Sequence, residues 1–87
     1  MNEIIIKYLE ESNQSRNKLS KRIKINTYPY QINKILIYNW LPTLKVFERL
    51  YKCMCEDGFI KYADELREQY KNKLREKHKE LLEFLDM

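Results

Sequence analysis

A single glycine, Gly58, and two prolines, Pro29 and Pro42, are all that punctuate 87 residues. A chain so poor in turn-formers cannot supply the many tight turns of a small sandwich or barrel, and it carries neither a collagen-like repeat nor a flexible linker. Helices remain, and the apolar spacing asks for them. At this length one domain is expected. A core this small contributes only a few kcal/mol net, so idealised packing or a partner must assist it. The longest apolar run, Ile35 to Leu41, contains Asn39 and is far short of the roughly 18 residues that span a bilayer. Ile4 to Ile6, flanked by Glu3 and Glu10, does not read as a secretory leader. With only Cys53 and Cys55 present, a reducing cytoplasmic setting is expected.

Charge divides the chain. From Ser12 to Phe47 no acidic residue occurs, while Arg16, Lys18, Lys21, Arg22, Lys24, Lys34 and Lys45 give that stretch a net +7. From Cys53 to Met87 seven basic residues meet nine acidic ones. A positive front of this extent suits a polyanion such as nucleic acid.

The periodicity predicts helices in order. Ile5, Tyr8, Leu9 and Ser12 share a face of the first, over residues 3–12. Ser15 caps a short second helix with Leu19, Ser20 and Ile23. Asn26 suits a left-handed turn position, and Pro29 the first position of a third helix carrying Ile32 and Ile35. Asn39 to Pro42 interrupts, with Pro42 again at a helix start ahead of Leu44, Phe47, Leu50, Tyr51 and Met54. Asp57 is expected to cap a last helix running to about residue 86. The fold class is therefore all-α, a compact bundle of four to five helices with a long C-terminal helix, organised as a front unit over 1–56 and a C-terminal helix over 57–87.

From about Ile5 to Met54 the chain resembles the phage-repressor helix-turn-helix family (Cro/repressor type, also called Xre-like). The residues that carry the resemblance are Ser15-Arg16-Asn17-Lys18-Leu19-Ser20, a capping serine followed by leucine and a small residue; Ile23 and Ile25, closing the second helix; Ile32 and Ile35, the inward pair of the recognition helix; Pro42-Thr43-Leu44, the entry to the fourth helix; and Phe47, Leu50 and Met54 in its core. Between Ile25 and Ile32 the chain is two residues longer than the family's turn. Lys24 stands where a glycine is common, and Leu36-Ile37-Tyr38 where Glu-Asn-Gly is common.

The resemblance implies a sequence-specific DNA-binding transcriptional regulator, a repressor of phage, plasmid or toxin–antitoxin type, working as a homodimer on double-stranded DNA. A recognition helix presents its N-terminal residues to base edges. Pro29, Tyr30, Gln31, Asn33 and Lys34 are then the outward set, with Gln31 and Asn33 matched to adenine and Lys34 to guanine or phosphate. Tyr28 and Tyr30 suit sugar or a thymine methyl. Arg16 and Asn17 at the start of the second helix, with Lys21, suit phosphate. The alternative is a helix-turn-helix shell that binds a protein, as an antirepressor or an inhibitor of a host nuclease; the apolar stretch Leu36 to Leu41 favours it.

The last helix carries two apolar clusters. Phe59, Tyr62, Ala63, Leu66, Tyr70 and Leu74 are expected to pack on the front unit. Leu81, Leu82, Phe84 and Leu85 lie beyond its reach and are expected to form a dimer contact. Trp40 is expected to be a core or hinge residue. Cys53 and Cys55 read as structural or surface thiols, because a zinc site needs more ligands than His78 supplies. No cofactor, metal or membrane is implied, and no catalytic grouping suggests an enzyme.

Overall fold

Helix α1 spans Asn2–Glu11 because Ile4, Ile5, Tyr8 and Leu9 recur on one side, and all four are buried. It ends where Asn13 takes a positive φ of 52°, a conformation asparagine adopts at little cost. Helix α2, Arg16–Arg22, starts at Ser15, whose side-chain oxygen accepts the Lys18 N–H at 3.1 Å. Leu19 and Ile23 point into the core, fully buried. The structure, a computed structural model, describes residues 1–25, 28, 29 and 32–86, with the backbone alone at 25, 28 and 29.

Next comes a minimal antiparallel ladder. β1, Lys24–Ile25, pairs with β2, Tyr28–Pro29, in the register Lys24 with Pro29 and Ile25 with Tyr28. Pro29 therefore does not open a helix. A proline biases the residue before it towards extended backbone, which suits Tyr28 in a strand. Helix α3 is only Asn33–Leu36, one turn. Its start is set from α2: Ser20 Oγ accepts the Ile32 N–H at 3.0 Å. Its end is tied to α1, where Asn2 Nδ2 donates to the Leu36 carbonyl at 3.2 Å. Ile32 and Ile35 are buried beneath it.

Asn39, with φ 53°, turns the chain away from α3. Helix α4, Leu44–Glu56, is capped by Thr43, whose Oγ1 accepts the Val46 N–H at 3.4 Å. Pro42 thus precedes the cap rather than starting the helix, and its carbonyl accepts the Tyr70 hydroxyl at 2.7 Å. Val46, Phe47, Leu50, Cys53 and Met54 form the buried face, whereas Leu44 is exposed. Asp57 ends α4 instead of capping the next helix, and Gly58 at φ 89° makes the reversal that glycine accommodates best. Helix α5, Ile60–Leu85, begins without a side-chain cap.

Ala63, Leu66 and Tyr70 of α5 close the core formed by α1 to α4, with Phe59 and Tyr62 packed at its edge. Tyr70 stacks on Phe47 with ring centroids 4.3 Å apart. Leu74, expected in this face, is 41% exposed, and among the described residues no core residue follows Tyr70. At 1.5 Å per residue α5 is about 39 Å long. The molecule measures 48 × 29 × 20 Å, so the helix overhangs the body. It continues unbroken to Leu85 and does not fold back. Among the described residues the architecture is five helices with one two-residue ladder, the all-α class expected. No helix among them is long and apolar enough to cross a membrane.

Candidate nucleic-acid interface

The front of α2 and the single turn of α3 meet at one hydrogen bond. Arg16 Nη1 donates to Asn33 Oδ1 at 3.1 Å, with both side chains exposed. Arg16 stands at the first position of α2, directly after its serine cap. The bond occupies the amide oxygen of Asn33 and leaves its NH₂ donors, together with the remaining guanidinium N–H groups, for another acceptor. Asn17, Lys18 and Lys21 on α2 and Lys24 on β1 are exposed, with Lys18 near Arg22 and Asp57. Lys34 extends from α3 over the Trp40 ring, with Nζ 5.8 Å from the centroid.

The residues named for base and phosphate contact therefore divide. Arg16 and Asn33 touch; Asn17 and Lys21 lie exposed on α2, and Lys34 on α3. Tyr28 lies in β2, where only its backbone is described. Tyr30 and Gln31, with Asn26 of the expected turn, lie outside the described residues. A one-turn α3 that starts at Asn33 differs from the expected helix from Pro29, and Tyr28 and Pro29 lie in β2 ahead of it.

One expected cation of the basic front is taken up by acids from beyond it. Arg22 grips Asp57 with two bonds, Nη1 to Oδ2 at 2.7 Å and Nη2 to Oδ1 at 3.1 Å, and Glu56 lies 3.7 Å away. Tyr8 donates its hydroxyl to Asp57 Oδ2 at 2.6 Å. Gln14, buried between them, donates to Tyr8 Oη at 3.0 Å and accepts from Arg22 at 2.8 Å. The Arg22 bonds hold the Asp57 carboxyl below its ordinary range. The Asp57 bonds in turn raise Arg22. Burial, with the Asp57 bond second, pushes Tyr8 up to about 12. Nothing in the local sequence signals this cluster, because its members lie up to 49 residues apart.

The loop between α3 and α4 carries the other surprise. Trp40, expected as a core or hinge residue, is 56% exposed in the α3–α4 loop, and its ring lies 5.9 Å from that of Tyr38. Ile37 and Leu44 are exposed beside them in sequence. The remaining candidates stay chemically plain. Cys53 is buried and Cys55 half-buried, both as free thiols, and burial pushes Cys53 up, away from the reactive thiolate. No group of three His, Cys, Asp or Glu among the described residues is arranged to hold a metal. Comparison of the chain with protein-family models, with curated proteins and with solved structures found no match.

Proposed function

We propose that this chain is a sequence-specific DNA-binding transcriptional regulator of the phage-repressor helix-turn-helix type, a cytoplasmic repressor of phage, plasmid or toxin–antitoxin kind that acts as a homodimer. The observation that carries the reading is the cation-rich surface of α2, β1 and α3, built from an acid-free stretch and joined across α2 and α3 by the Arg16–Asn33 bond. Besides Arg22, these elements carry five lysines and arginines for a polyanion, Arg16, Lys18, Lys21, Lys24 and Lys34, and Lys45 follows at the start of α4. Phosphate contacts of this kind position a protein on the duplex, and the segment from Tyr28 to Lys34 then supplies the base contacts.

The test is selection of random duplex DNA on the purified protein at low and high salt. Enrichment of a two-fold site, lost on Gln31→Ala with Lys34→Ala, is the expected result. Salt-sensitive binding without an enriched sequence would leave a DNA-binding face that does not read sequence. No binding at low salt would overturn the reading. A protein partner is the second reading, with the chain acting as an antirepressor or a nuclease inhibitor. Its specific support is the exposed quartet Ile37, Tyr38, Trp40 and Leu44, aromatic and aliphatic side chains of the sort that anchor protein interfaces.

A further inference from the structure

The overhanging part of α5 is self-complementary in two independent ways. Leu74, His78, Leu81 and Leu85 recur at spacings of four, three and four, the spacing of a coiled-coil seam. Leu74, Leu81 and Leu85 are 41, 54 and 74% exposed, and His78 is exposed between them. Leu82 and Phe84 flank the seam, 47 and 73% exposed. The charges of the same helix are polarised. Residues 71–79 hold five basic residues and one acidic, a net +4, while 80–86 hold Glu80, Glu83 and Asp86 with no cation, a net −3.

We propose that residues 74–85 of α5 pair antiparallel with the same segment of a second copy, and that this pairing spaces two DNA-reading faces about one duplex turn apart. Parallel pairing would set the +4 segment against itself and the −3 segment against itself. Antiparallel pairing sets each acidic end against a basic middle on both sides of the dyad, the isologous arrangement in which every contact occurs twice. Full overlap of the two free segments places Leu74 opposite Leu85 of the second copy and His78 opposite Leu81. It stops where the bodies begin, because Tyr70 is the last residue of α5 in the core.

The same register gives a distance. Leu66, at the centre of the packed part of α5, lies about 20 Å along the axis from the dyad at 1.5 Å per residue. The two bodies are then about 40 Å apart, or about 12 base pairs at 3.4 Å each. Dimeric helix-turn-helix proteins read half-sites about 34–36 Å apart, one turn of the duplex. The orientation stands on α5 alone; the spacing rests on the DNA-binding reading above.

Sedimentation equilibrium of the full chain decides the pairing. A reversible dimer is expected, abolished by Leu81→Asp with Leu85→Asp while far-UV dichroism still reports a folded protein. His78→Leu, which completes the seam, is expected to tighten it. The triple change Glu80→Gln, Glu83→Gln and Asp86→Asn reads the orientation. Antiparallel pairing predicts about tenfold weaker association at low salt, because each acidic end loses its attraction to the basic segment of the second copy. A parallel dimer would instead tighten, because like charges are removed, and that result would overturn the proposal. So would a chain that stays monomeric at hundreds of micromolar. In the duplex selection, half-site centres about 10–13 base pairs apart support the spacing, and any other separation overturns it. A dimer that passes the first two tests yet binds no DNA overturns the regulator reading and leaves the pairing intact.

Discussion

Asp57 shows how one side chain can have a role opposite to its apparent one. Next to a glycine and ahead of a long helix it reads as a cap, yet its carboxylate faces back across the molecule to Arg22 and Tyr8. Asp57→Ala is expected to lower unfolding free energy by about 1–3 kcal/mol, the usual range for a charge-assisted bond in a partly exposed site. Denaturant unfolding at neutral pH measures it. Because the folded carboxyl lies below its ordinary value, the stability it contributes is present above about pH 4 and is lost as pH falls through that region. Thermal midpoints of the native chain should therefore fall between pH 5 and pH 3 more steeply than those of the Asp57→Asn variant. Tyr8 gives the opposite limb: raised to about 12, its contribution is complete below about pH 10 and is lost as pH climbs towards 12. Ser20 was legible only as a small residue that lets helices approach. Its bond to the Ile32 N–H is a tertiary fact, and Ser20→Ala should cost about 1 kcal/mol in the same unfolding assay.

At the level of elements, the sequence reading succeeded where local chemistry decides. Ser15 caps α2 as expected, and Leu19, Ile23, Ile32, Ile35, Phe47, Leu50 and Met54 all face inward as their spacing required. It failed where two local signals compete. Pro29 is acceptable both at a helix start and in an edge strand, and the strand prevails here, so α3 shrinks to one turn. Thr43, one residue past Pro42, is the actual cap of α4; Thr43→Ala should lower stability by about 1 kcal/mol, read as a small fall in thermal midpoint. For α5 the expectation is contrary to its length. Truncation after Glu80 removes no core residue, so monomer stability should hold to within about 0.5 kcal/mol, whereas Leu66→Ala should cost about 2–5 kcal/mol. Denaturant midpoints measured at a concentration low enough to keep the chain monomeric separate the two.

For the molecule as a whole, the division of charge survives folding with one subtraction. The acid-free stretch forms α2, the ladder, α3 and the start of α4, with Lys18, Lys21, Lys24, Lys34 and Lys45 exposed, while Arg22 is paired with Glu56 and Asp57 at the end of α4. If about five phosphates are neutralised on binding, the logarithm of affinity for a duplex should fall with the logarithm of salt at a slope of about −4 to −5. Titration by fluorescence anisotropy between 50 and 300 mM salt measures it. A slope near −1 would mean that the cations do not act together. This global feature was readable from composition alone, because net charge needs no packing. The polar cluster around Asp57 was not, since it depends on α1, α2 and α4 converging.

Trp40 is the chain's sole tryptophan, and it stands in solvent at the tip of the α3–α4 connection instead of in the core. Its emission in the folded protein is expected to resemble that of a hydrated indole. Unfolding changes that environment little, so intrinsic fluorescence is a poor thermometer of this fold. The same indole is a sensitive spectator of anything that settles on the loop, and a blue shift or quench on adding a partner reports contact there without a label.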